Sequence, residues 1–66
     1  MDFINLSRRD TEEPAKVKVG NLIKIFIKEG EYIGIVLSVD ETSMELQSPT
    51  GEVRWMSRYV IYEIIQ

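Results

Sequence analysis

The side chains of this 66-residue chain that could do chemistry are hydroxyls, carboxylates, cations and aromatics, because histidine and cysteine are both absent. That absence removes the commonest general base near neutral pH, the thiolate nucleophile, the thiolate zinc site and any disulfide framework. Ser38, Ser43, Ser48 and Ser57 have only carboxylates and lysines as candidate activating partners. No nucleophile–base pair of the Ser–His or Cys–His kind can be assembled. Asp40-Glu41, or Glu29 with Glu31, could hold a hard cation weakly through oxygen ligands. Acids beside turn residues are more simply solvated turn charge. No glycine-rich loop follows a strand and opens a helix, so no phosphate cradle is expected. The chain reads as a non-enzyme with no cofactor and no metal site.

Three constellations remain. Lys24, Lys28, Arg54 and Arg58, with Phe26, Trp55 and Tyr59, could form the basic-aromatic surface that small barrels offer to nucleic acid. Charge argues against it. Residues 1–19 carry four cations and four acids, and residues 20–66 carry four cations and seven acids, which gives the net −3. A polyanion partner would favour the opposite balance. Tyr32, Trp55 and Tyr59 could form a cage for a cationic ligand, or serve as exposed anchors for a protein partner. The third constellation is Phe3, Ile4 and Leu6, an apolar cluster ahead of Ser7-Arg8-Arg9-Asp10 in a polar stretch without strand alternation. It reads either as a free tail or as a docking arm.

The elements that position these residues are short strands. Ile23, Ile25 and Ile27 alternate with Lys24, Phe26 and Lys28, a period of two, over a length too short for an independent helix. This predicts strands over residues 22–28 and 31–40, joined by the polar turn Lys28-Glu-Gly-Glu31. In the second strand Ile33, Ile35, Val36, Leu37 and Val39 are apolar on both faces, which predicts cover on both sides. Gly34 suggests a bend or a close backbone approach, or is simply tolerated. A turn at Asp40-Glu-Thr-Ser43 leads to a strand over 44–47, with Met44 and Leu46 inward. In Ser48-Pro-Thr-Gly51, Pro49 suits the first central position of a type I turn and Gly51 the left-handed position after it. Strands over 52–56 and 60–65 follow, separated by a 3₁₀ turn at 57–59. Residues 16–19 read as a lead-in strand or an extended loop.

Five short strands in so few residues favour closure into a barrel, which hides strand edges. The expected organisation is a polar arm over residues 1–16 and a barrel over 17–66. No stretch approaches the ~20 apolar residues of a membrane span. No signal peptide is apparent, because residues 1–15 lack an apolar core.

Val19-Gly-Asn-Leu-Ile-Lys-Ile25, Gly34-Ile-Val36, Thr50-Gly-Glu-Val-Arg-Trp55 and Val60-Ile-Tyr-Glu-Ile-Ile65 together resemble short SH3-like β-barrels encoded by tailed bacteriophages. Those typically read V-G-D-L-V, then G-x-V, then D-G-E-x-x-W, then a final L-E-V-I. The resemblance covers about residues 17–65. It departs where Thr50-Gly replaces Asp-Gly and in having the arm at all. The Gly34-Ile-Val36 segment also resembles, more loosely, the KOW motif. The resemblance implies an all-β, five-stranded SH3-like barrel and a setting in the virion or the cytoplasm of a host cell.

The expected function is a non-enzymatic protein-interaction or structural module. It would dock on a larger assembly through Phe3, Ile4 and Leu6, with Tyr32, Trp55 and Tyr59 as a second surface. Homo-oligomerisation is compatible with this, and the last strand could offer an edge for strand addition. The alternative is a KOW- or Tudor-like module that meets nucleic acid through Lys24, Lys28, Arg54 and Arg58. No membrane partner is expected.

Overall fold

The computed structural model describes residues 13–66. Within them the chain is all β, with five antiparallel strands in one sheet and no helix. β1 spans Leu22–Ile27, β2 Gly30–Val39, β3 Ser43–Gln47, β4 Val53–Ser57 and β5 Ile61–Ile64. The sheet order is β4-β3-β2-β1-β5, so three hairpins run on in sequence and β5 returns to the free side of β1. All five expected strands form, with no end moved by more than one residue. Residues 16–19 form no strand. Residues 58–60 make a bend where a 3₁₀ turn was expected.

The turns follow from their residues. Gly51 has φ +95°, in the left-handed region open to glycine. Its N–H donates to the Ser48 carbonyl at 2.9 Å, and the Ser48 N–H donates to the Glu52 carbonyl at 2.8 Å. The Ser48 hydroxyl also accepts from the Glu52 N–H at 3.2 Å.

The link between β4 and β5 sets the shape of the sheet. These strands lie at opposite edges, yet only residues 58–60 separate them. Four steps from Ser57 to Ile61 span at most ~14 Å, whereas the edges of a flat five-stranded sheet would lie ~19 Å apart. The sheet must therefore curl. It stays open as a ladder, because β4 pairs with β3 and β5 with β1.

Curling gives the sheet a concave face that holds the core. Ile23, Ile25, Val36, Met44 and Leu46 are fully buried there, with Ala15 and Val60. Val17, Ile27, Tyr32, Val39, Met56 and Tyr62 pack around them. Ala15 falls in the stretch that sequence reading gives to the arm, so the core reaches further towards the N-terminus than hydrophobic patterning shows. Gly34 is buried opposite Ile23. A Cβ there would lie 3.1 Å from the Gln47 carbonyl oxygen and 3.2 Å from the Leu46 Cβ. Close approach of β2 to β3 is thus the reason for this glycine.

Arg58 fastens the ends of the curl. Its N–H donates to the Thr42 carbonyl at 2.9 Å, and its own carbonyl accepts from the Ala15 N–H at 2.6 Å. Its Nε and Nη2 donate to the Ala15 carbonyl at 3.2 and 2.7 Å. Its Nη1 donates to the carbonyls of Asp40 at 2.9 Å and Glu41 at 3.3 Å. One residue thereby joins the N-terminal segment, the β2–β3 turn and the β4–β5 link.

Urea unfolding of three variants checks these contacts. Gly34→Ala should cost about 1–3 kcal/mol, since β3 backbone must move to admit the methyl group. Arg58→Ala should cost roughly 2–3 kcal/mol by removing charge-assisted bonds to three carbonyls. Arg58→Lys should recover less than half of that loss, because an ammonium cannot reproduce the fork.

Candidate functional site

Residues directly opposite in an antiparallel ladder share a face, so the register sorts the candidate residues. Leu46 is core, so its partner Arg54 emerges on the concave side. Ile25 is core, which puts its partners Tyr32 and Tyr62 there too. Trp55 lies opposite Glu45, and Glu45 opposite Ser38, on the convex side.

Tyr32 and Trp55 are therefore on opposite faces, and the register does not assemble an aromatic cage from Tyr32, Trp55 and Tyr59. Tyr32 packs against the core, with the Arg54 guanidinium 5.2 Å from its ring centroid. Tyr62 also packs on the core, and its hydroxyl accepts from the Lys16 N–H at 2.9 Å. Tyr59 is half-buried in the link, where its N–H donates to the Ser57 hydroxyl at 3.0 Å. Of the expected aromatic anchors, Trp55 is the one presented to solvent, at 53% exposure. Phe3, Ile4 and Leu6 lie outside the described residues.

The four cations are dispersed. Lys24 is on the convex face, 3.8 Å from Glu31. Lys28 follows β1 and is exposed. Arg54 lies 3.8 Å from Glu52 and over Tyr32. Arg58 is engaged with backbone carbonyls. The register does not gather them into a continuous basic stripe.

Several of the hydroxyls have local structural partners, and Asp40 and Glu41 act through their backbone. Ser38 donates to Glu45 Oε1 at 3.1 Å, across the register shift between Val36 and Ser38. Ser48 and Thr50 share a hydrogen bond at 2.9 Å within their turn. Asp40 and Glu41 contribute carbonyl oxygens to Arg58. Among the described residues no group of three or more carboxylates could hold a metal ion, and no helix is long and apolar enough to cross a membrane.

What the register leaves on the convex face of β2 and β4 is mostly apolar, with Gln47 and Glu45 of β3 between the two strands. The row Val53, Gln47, Ile35, Leu22 crosses four strands on the convex face. Beside it stand Ile33 on the same face of β2, Leu37 at the register shift, and Trp55. Ile35, Val53 and Trp55 are 44%, 47% and 53% exposed. Sequence reading takes β2 as covered on both sides. The structure corrects this: Ile33, Ile35 and Leu37 face solvent among the described residues. The signal was present in the sequence, since Ile33 and Ile35 are out of phase with Val36.

Three glutamates, Glu31, Glu45 and Glu63, share this face with one lysine, Lys24, as their ladder partners show. The apolar side chains of β2 and β4 are thus parted by Glu45 and Gln47 of β3 and share the face with two further glutamates. Comparison with family models, curated proteins and solved structures gives no match for this chain.

Tyr32 supplies a test of the concave side. Its hydroxyl is buried without a hydrogen-bond partner among the described residues. Removing an unsatisfied buried hydroxyl relieves a desolvation cost of about 1–3 kcal/mol. Tyr32→Phe should leave stability unchanged or raise it in thermal unfolding; a clear loss would mean that the hydroxyl is bonded.

Proposed function

We propose that the chain is a small SH3-like barrel acting as a non-enzymatic protein-interaction module, with the convex sheet face as its docking surface. The observation that carries this reading is the set of exposed apolar side chains on the convex face, Ile33, Ile35 and Leu37 on β2 and Val53 and Trp55 on β4, with Gln47 and Glu45 of β3 between them. Exposed apolar side chains gathered on one face among polar neighbours suit an interaction site. Trp is also among the side chains enriched at binding hot spots.

The barrel part of the proposal rests on strand order and on the short link between the edge strands, both of which favour near-closure. Phe3, Ile4 and Leu6 are proposed as a second anchor. The resemblance to phage barrels makes a phage-encoded component of a larger assembly, in the virion or the host cytoplasm, the proposed setting. The dispersed cations and the acidic convex face do not favour nucleic acid as the partner.

The test is affinity capture with the native chain beside the exposed-site double variant Ile35→Ser with Val53→Ser. Protein partners captured by the native chain should drop out with the variant. Apolar capture should survive a rise from about 0.1 to 0.5 M salt, whereas phosphate contacts would weaken by orders of magnitude. Equal capture by the variant, or loss on nuclease treatment, would overturn the reading. Circular dichroism of the variant should be unaltered, because exposed substitutions stay within about 0.5 kcal/mol.

A further inference from the structure

The outer side of β4 is a free sheet edge. Among the described residues no strand pairs with it, and its residues are exposed apart from the half-buried Met56. The ladder fixes which backbone groups the edge presents. The Arg58 N–H donates to the Thr42 carbonyl and the Ser48 N–H to the Glu52 carbonyl, so residues 52 and 58 turn these groups towards β3. Alternation along an antiparallel strand gives Arg54 and Met56 the same direction. Val53, Trp55 and Ser57 therefore hold their N–H and C=O groups out along the edge. Such a row is a template for another strand.

Parity and charge select the occupant. An antiparallel partner must set outward residues against outward residues. With β4 of a second copy, centring on Trp55 uses Val53, Trp55 and Ser57 on both strands, whereas centring on Arg54 or on Met56 leaves one of them unmatched. The Arg54-centred register also sets two guanidinium groups opposite each other, which is unfavourable. In the Trp55-centred register Arg54 meets Met56, Val53 meets Ser57, and Trp55 meets its copy. Arg54, the one charged side chain of the strand, lies over the Tyr32 ring on the concave side, clear of the edge. On the convex side the two copies of Glu45 stand three strand spacings apart, ~14 Å, beyond the ~8 Å Debye length of physiological salt. The β5 edge is a poorer template: β5 has four residues, and Tyr62 within it already receives the Lys16 N–H.

We propose that two copies of this chain pair through the free edges of β4, antiparallel and centred on Trp55, so that their two sheets become one across a two-fold axis. Each outward pair exchanges two backbone hydrogen bonds. The symmetry is closed, so assembly stops at the dimer. The contact uses the edge of β4 and goes beyond the docking role of the convex face, so it holds whether or not that face binds a partner.

Sedimentation equilibrium of the full chain reads the pairing. Strands this short form an interface below ~1,200 Å², the small and transient class, so dimer should replace monomer between about 10 μM and 1 mM. Val53→Pro removes an outward N–H that the chain's own ladder does not use, and proline is tolerated at such an edge position. This variant should keep the native circular dichroism and stay monomeric, while Val53→Ser, which keeps the N–H, should still dimerise. The chain has no cysteine, so introduced thiols report the register. Residues in a hydrogen-bonded pair have Cα atoms ~5.5 Å apart, within disulfide reach. Trp55→Cys should oxidise to a covalent dimer at least about ten-fold faster than Val53→Cys, whose two copies lie ~14 Å apart along the strands.

A native chain that stays monomeric to about 1 mM overturns the proposal. Assembly beyond the dimer overturns it in favour of an open-ended contact. A folded Val53→Pro variant that still dimerises moves the contact away from this edge. Equal oxidation of the two thiol variants, a result that does not depend on Val53→Pro folding, overturns the Trp55-centred pairing.

Discussion

The structure depends on holding two opposite sheet edges within the reach of a three-residue link. Arg58 sits in that link and uses its backbone and its guanidinium to bind residues 15, 40, 41 and 42. A guanidinium suits the position because its planar fork can serve several carbonyls at once. The curl makes one face concave and lets a few buried side chains from β1, β2 and β3, with Ala15 and Val60, form a single core against which Met56 of β4 and Tyr62 of β5 pack.

Curling also has a cost that becomes an opportunity. One sheet has one concave face, so the apolar residues of opposite parity have no core to enter. Ile33, Ile35 and Val53 are left on the convex side, aligned across strands by the register, with Leu37 and Trp55 beside them. Nothing about their exposure helps the isolated fold. Burial against a partner would remove them from water, at roughly 25 cal/mol for each Å² of apolar surface buried. The same geometry disperses the four candidate cations, and seven acids outnumber them over residues 20–66, so they do not amount to a phosphate-binding surface.

Much of the fold was legible in the sequence because period two, turn chemistry and glycine placement are local properties. Ile23 and Ile25 announce an inward face within β1. Ser48-Pro-Thr-Gly51 announces its own turn. Gly34 announced a special position without saying which kind, since the reason lies in β3. The role of Arg58 was hidden, because its partners are up to 43 residues away and are backbone carbonyls that carry no sequence signature. Ala15 was hidden for a related reason, as a single small residue in a polar stretch gives no periodic signal.

The sequence by itself determined an all-β chain, five strands close to their observed bounds, and the absence of histidine and cysteine chemistry. Those conclusions need only residue types and spacing, which set strand propensity and the inventory of reactive groups. Only the tertiary structure decided the partition of aromatics and cations between two faces. Tyr32 and Trp55 are separated because ladder register, and not their shared chemistry, chooses the side on which each emerges. Ile33, Ile35 and Val53 become a surface for the same reason: a curled sheet has room for one core, and the register assigns these side chains to the face without one.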